Sequence, residues 1–141
     1  MVCVNYEIEL SSTQKTDIFD VTEDVKKFVL QSGLKKGLAT VHTPGSTAAV
    51  TTIEYESGAL SDLTRVLEDL APAKGDYAHN ARWGDGNGYS HVRSALLGPS
   101  LCVPVEDGGA VLGAWQQIIV LDFDNRPRKR RVIIQVLGER G

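Results

Sequence analysis

A chain of 141 residues suits one domain, and its 42% apolar content is enough for a core that needs neither metal nor disulfides. Fifteen Lys and Arg against eighteen Asp and Glu leave a formal charge of −3, which excludes a general basic field for nucleic acid or an anionic membrane surface. A 23% charged content beside 3 Phe, 4 Tyr and 2 Trp also excludes a disordered composition.

The chain opens with alternation. Val4, Tyr6, Ile8 and Leu10 share one face and Cys3, Asn5, Glu7 and Glu9 the other, the period of a strand with one face on a core. Thr22 is placed to cap a helix whose apolar stripe is Val25, Phe28 and Val29 and whose stop is Gly33. Residues 37–43 read as a strand, and Pro44-Gly45 as a turn into a second strand over 47–55. Leu60, Leu63, Leu67 and Leu70 recur at helical spacing over 58–70, with Pro72 marking the end.

From Ala71 to Tyr89 no periodicity survives, and the segment reads as a long irregular loop holding Tyr77, His79, Trp83 and Asp85-Gly86-Asn87-Gly88. Loops of that length in a small domain tend to carry function. A short helix over 90–97 follows, stopped by Gly98-Pro99. The last third reads as strands over 101–105, 111–123 and 131–137, joined by turn residues. Short connections favour antiparallel pairing. The expected fold is α+β: a β-rich, mostly antiparallel sheet core with two or three short-to-medium helices in a single domain.

Cys3 and Cys102 fit no metal or redox spacing and read as small buried hydrophobes of a reducing compartment. The N-terminal residues carry no basic start followed by an apolar run, and Gln116-Gln117 interrupts the most apolar stretch. These features point to a cytoplasmic protein with neither membrane nor nucleic-acid partner. Trp115, with strand residues around it, reads as a core side chain.

The sequence contains three histidines, His42 at the end of a strand, and His79 and His91 bracketing the long loop. Three imidazoles with an open fourth position are a standard catalytic zinc set, although no HxH or HExxH spacing reinforces it here. Glu54 and Asp85 are the carboxylate candidates for a general base. A tight Pro44-Gly45 hairpin would leave Glu54 about 20 Å or more from His42, at ~3.3 Å per residue. Gly86 and Gly88, just ahead of a helix that Ser90 would cap, present backbone N–H groups suited to an anion. The run Arg126, Arg128, Lys129, Arg130, Arg131 is the one concentration of positive charge. Adjacent strand residues face opposite ways, so one of Arg130 and Arg131 would point inward to a ligand anion.

Taken together, His42-Thr43 with Ser46 and Thr47, Tyr77-Ala78-His79, Ser90-His91-Val92-Arg93 through Gly98, Gly113-Ala114-Trp115-Gln116 and Arg130-Arg131 through Gly138-Glu139 resemble the YjbQ-like family over nearly the whole chain. Ala114 stands where Thr is common, and Glu54 where some members carry Asn. The resemblance implies a secondary thiamine-phosphate synthase activity and a homotrimer. It also implies a pocket built on His42, His79 and His91 with a bound divalent metal, zinc being the expected ion. By the same resemblance Asp85, Ser90, Trp115, Gln116 and Arg131 occupy motif positions. The expected catalytic group is Asp85, Gln116 and Glu54, and the expected phosphate group Ser90, Arg131, Gly86 and Gly88. The substrate is expected to be small and phosphorylated. A metal-dependent hydrolase and a non-catalytic trimeric binding protein are the competing readings.

Overall fold

The computed structural model describes residues 1–141. In chain order the elements are β1 (Val2–Ser11), β2 (Asp17–Asp20), α1 (Thr22–Ser32), β3 (Lys36–His42), β4 (Ala48–Ile53), α2 (Ser57–Leu70), α3 (Ala78–Trp83), α4 (Gly88–Leu97), β5 (Ser100–Glu106), β6 (Gly109–Ala110), β7 (Gln117–Asp122) and β8 (Lys129–Glu139). All strand pairs are antiparallel, in a five-stranded sheet ordered β1-β8-β3-β5-β6 and a three-stranded sheet ordered β2-β7-β4. The α+β architecture and the alternation of β1 are as the sequence suggests.

The molecule has three layers. Between the two sheets lie Val41, Val103, Val132, Ile134 and Val136 from the larger sheet, Val50, Ile118 and Val120 from the smaller, and Val25 and Val29 from α1. A side chain of this size, once fully buried, stabilises by roughly 1.5–3 kcal/mol, which makes this layer the main source of stability. The second face of the smaller sheet offers Ala49, Ile119, Leu121 and Phe123, packed against Leu63 and Leu67 of α2 and Leu97 of α4. The outer face of the larger sheet has no such cover: Leu38, Leu137, Pro104, Cys3 and Cys102 are all exposed on it.

Several local expectations fail, each for a non-local reason. Pro44-Gly45 does not close a hairpin, because β3 takes β5 and β8 as partners and β4 takes β7 in the other sheet. The segment after β3 is therefore a crossing between layers, fixed by bonds from Thr43 N–H to the Pro99 carbonyl and from Phe123 N–H to the Thr47 carbonyl. The expected strand over 111–123 is interrupted: a turn at Gly113–Gln116 separates β6 from β7. Trp115 sits in that turn, 75% exposed rather than in the core. β7 is central in its sheet, and Ile118–Leu121 are buried on both faces within one subunit.

Cys3 and Cys102 are exposed free thiols rather than core residues, because both alternate onto the uncovered face. Val21, not Thr22, is the N-cap of α1; the Thr22 hydroxyl instead accepts the Ile118 N–H and tethers the helix to β7. Gly33 does stop α1, at φ 70°. The 71–89 segment is not wholly irregular, since it contains α3.

Candidate functional site

The C-terminal end of β7 carries the site's foundation. Asp122 and Asp124 are fully buried carboxylates, two positions apart, and each is met by an arginine from the run leading into β8. Arg130 holds Asp122 with two bonds, from Nε to Oδ2 at 2.7 Å and from Nη2 to Oδ1 at 3.0 Å. Arg128 donates from Nε to Asp124 Oδ2 at 2.8 Å. Thr47 joins the two pairs, accepting from Arg130 Nη2 and donating to Asp124 Oδ2. Burial alone would push the Asp124 carboxyl up. Hydrogen bonds from Asn87 Nδ2, the Asn125 N–H and Arg128 outweigh it and hold the group below its ordinary range, so it is a fixed negative charge.

In front of this network lies a cavity of about 330 Å³ lined by Gly45, Ser46, Thr47, Asp85, Asn87, His91, Arg126, Arg128 and Arg130. The bonds just described use Nε and Nη2 of Arg130 and leave its Nη1 donors over. Gly45 approaches that Nη1 so closely that an added Cβ would lie 3.0 Å away, and its φ of +138° independently favours glycine. Asp122 and Asp124 thus aim guanidinium donors at the cavity while balancing their charge from behind.

His91 of α4 lines the cavity with the arginines, and His79 of α3 stands behind it, their rings 4.5 Å apart between centroids. Asp85, in the connection between these helices, places Oδ1 3.4 Å from His79 Nδ1. That distance is not a formed hydrogen bond, and His79 Nδ1 is buried without a hydrogen-bond partner. Two imidazoles and a carboxylate are a donor set suited to a divalent ion. The three do not stand in closed metal-binding geometry, and no group of three His, Cys, Asp or Glu side chains in the chain does.

The other expected site residues are placed as follows. His42 faces the outer side of the larger sheet, where its Nδ1 lies 2.5 Å from Ser100 Oγ. Arg131 points to that same outer side and bonds Glu7, whose carboxyl the guanidinium holds below its ordinary range. The inward member of the arginine pair is Arg130. Ser90 is fully buried and donates its hydroxyl to the Asn87 carbonyl, a helix-start role. Gly88 gives its N–H to Asn80 Oδ1 at 2.8 Å and packs against Tyr77, while Gly86 forms the left-handed turn at φ 71°.

Glu54 lines a separate cleft with Asp20, Glu23, Glu56 and Trp115. Gln116 is tied by Gly113 N–H and Thr52 Oγ1. Both lie past the Ile53–Gln117 end of the β4–β7 pair, whereas Asp122 pairs with Ala48 at the other end. At ~3.4 Å per residue that is about 17 Å away along the strands.

Asp122 and Asp124 went unmarked in the sequence reading, and so did the network that joins them to Arg128, Arg130, Asn87 and Thr47. The available signal was two carboxylates within or beside an otherwise apolar strand, followed by two arginines at the same alternating spacing. Buried charges need partners, and only that spacing supplies them.

The fold and site define an α+β protein with a histidine–carboxylate cluster beside an arginine-lined pocket. The chain belongs to the YjbQ-like family: the family described as "UPF0047 protein YjbQ-like" matches residues 6–139. A UPF0047 protein of Archaeoglobus fulgidus is 39% identical over 131 residues, covering 93% of this chain and 99% of that one. YugU of Bacillus subtilis is 29% identical over 132 residues, covering 93% and 97%. Among solved structures, a YbjQ-like protein of unknown function from Sulfolobus solfataricus superposes with a TM-score of 0.87 at 27% identity, covering 98% of this chain and all of that one. An uncharacterized conserved protein of the family from Clostridium acetobutylicum gives 0.82 at 32% identity, covering 95% and 99%. The chain also has no helix long and apolar enough to cross a membrane.

Proposed function

We propose that this protein is a transferase of the secondary thiamine-phosphate synthase type. It joins an aminopyrimidine methyl diphosphate to a thiazole phosphate. A bond forms from the thiazole nitrogen to the pyrimidine's methylene carbon while the carbon–oxygen bond to the diphosphate breaks, and pyrophosphate leaves with the electron pair. The observation that carries this reading is the cavity in which Arg126, Arg128 and Arg130 share a wall with His91 and Asp85. Guanidinium groups fixed beforehand by buried carboxylates stabilise charge on a departing diphosphate without reorganising during the step.

His79, His91 and Asp85 would hold a divalent metal, zinc by the imidazole preference, which would supply Lewis-acid stabilisation of the diphosphate oxygens. The buried, unpartnered His79 Nδ1 supports that assignment. Purified protein is expected to contain about one zinc per chain by elemental analysis and to convert the two precursors into thiamine phosphate. His79→Ala is expected to lose both. Release of phosphate from one substrate without the second would move the reading to a metal-dependent hydrolase. Binding without turnover would leave a ligand-binding protein.

The working unit in this reading is a homotrimer. Cys3, Leu137, Leu38 and Pro104 form an exposed row in register across four strands of the uncovered sheet face, the face that also carries His42 and Arg131 further along their strands. Such a row suits a partner surface better than water, and a neighbouring subunit would bring His42 or Glu54 to a site they do not reach within one chain. Sedimentation equilibrium should return three times the chain mass, and a monomer at micromolar concentration refutes this assembly.

A further inference from the structure

Arg130 keeps one donor nitrogen free. The residue is only 7% exposed, and its fork is fixed: Nε and Nη2 donate to Asp122, and Nη2 also to Thr47. Nη1 donates to nothing in the chain. It is not sealed either, since the unpartnered polar side-chain atoms shut off from solvent are His79 Nδ1 and Asn87 Oδ1 alone. Arg130 belongs to the lining of the arginine cavity, and it is there that Nη1 opens.

Gly45, in the same lining, stands directly before this donor. A Cβ built on Gly45 would lie 3.0 Å from Nη1, and outside residues 44–46 no other atom of the chain would come within 4 Å of it. That point is open space at N–H···O distance from a guanidinium nitrogen. The φ of +138° accounts for a glycine here without any ligand. It does not account for a buried guanidinium with donors to spare, because buried donors are normally paired. Arg130 is also the one arginine of the lining held this rigidly: Arg126 is exposed and Arg128 half-buried.

Resting on the reading of this cavity as a phosphate site, we propose that Gly45 is the residue that admits the ligand to Arg130. A terminal phosphoryl oxygen takes the place of the missing side chain and accepts a hydrogen bond from Nη1. Asp122 and Thr47 hold the fork from behind, so the donor is oriented before the ligand arrives. Any side chain at position 45 puts carbon where that oxygen belongs. The cavity would then keep its arginines and lose its one rigid contact. Exposed Arg126 attracts anions of many shapes, whereas the opening between Gly45 and Arg130 fixes a phosphate group in one pose. For the proposed transferase, this is where an oxygen of the departing pyrophosphate is held.

The test is calorimetric titration of the full-length protein at neutral pH with orthophosphate and with pyrophosphate, beside NMR of the arginine guanidinium protons. Both anions are expected to bind the native protein and to shift the Nη1 protons of Arg130. Gly45→Ala should weaken both by about tenfold or more, as the loss of one charge-assisted hydrogen bond implies. Unchanged affinity in a folded Gly45→Ala protein overturns the proposal and leaves the cavity standing as an anion site. If that variant does not fold, the native protein decides alone. Anion binding that leaves the Arg130 Nη1 protons unmoved overturns the proposal, and it would assign any loss in a folded variant to backbone strain instead. Binding of neither anion by the native protein overturns both this inference and the phosphate reading beneath it.

Discussion

Asp122→Ala is expected to lower stability by about 3–5 kcal/mol, the usual effect of removing one partner of a buried ion pair. The pair is well inside that regime: Asp122 is 1% exposed, Arg130 7%, and two hydrogen bonds connect them. The loss is large because Arg130 keeps its charge, still buried, with only Thr47 and whatever water enters to solvate it. Urea unfolding should show the change in midpoint with little change in slope, and the melting temperature should fall by on the order of 10 °C. Adding Arg130→Met to Asp122→Ala should recover much of the loss, since the penalty lies in the orphaned charge. A loss below about 1 kcal/mol for Asp122→Ala would show that water already reaches the pair. Glu7→Ala provides the contrast, because its bond to Arg131 lies on the exposed sheet face and its removal should leave stability nearly unchanged. Asp124 adds a pH dependence of definite sign. Its carboxyl is held below the ordinary range, so its contribution is complete above that range and is lost as pH falls through the lowered value.

The same buried network explains which parts of the fold were legible in the sequence. β1 could be read because one of its faces meets the core and the other meets water, so a period of two is written directly into Val2–Ser11. β7 was legible as a strand but not as a doubly buried one, since continuous apolar residues do not say what covers them. The β3–β4 hairpin failed because turn chemistry reports only on four or five residues. The competing partners of β3, which are β5 and β8, lie about 60 and 90 positions further on. β2 and α3 were invisible for lack of length. Four residues show no alternation worth counting, and the six of α3 have no apolar stripe of their own and bury no residue.

The site was legible in its residue types and less so in its geometry. His79, His91 and Asp85 do meet, because the short helices that carry the histidines pack on each other and the short connection between them carries Asp85. His42 and Glu54 are separated from them by sheet membership and by strand length, neither of which spacing encodes. Strand alternation correctly required one of Arg130 and Arg131 to face inward. Which one does so was decided by Asp122, a partner whose burial could be recognised only once β7 was known to be covered on both faces.

Gly88→Ala probes the contact that sets the two helices in place, and it is expected to disturb the site through packing alone. A Cβ at position 88 would lie 2.6 Å from Tyr77 Cβ, 2.9 Å from its Cγ and 3.0 Å from Asn80 Oδ1. Tyr77 has little freedom to withdraw, being the N-cap of α3 with its hydroxyl bonded to the Pro72 carbonyl at 2.7 Å. Asn80 is similarly committed, since its Oδ1 accepts the Gly88 N–H. The glycine has no positive φ to preserve, and alanine is the better helix former by about 1 kcal/mol, so every local term favours the substitution. Steric displacement of α3 from α4 should nevertheless prevail and cost about 1–3 kcal/mol net. Because α3 carries His79 and α4 carries His91, the zinc binding proposed above should weaken at least tenfold in the same variant, whether or not the fold survives at elevated temperature. A rise in stability of about 1 kcal/mol would mean that Tyr77 yields and that the helix pair is not locked. Loss of phosphate binding with stability and the proposed zinc binding intact would instead give Gly88 the anion-cradling role expected of it from the sequence. The variant therefore separates a packing glycine from a binding one with three measurements on a single protein.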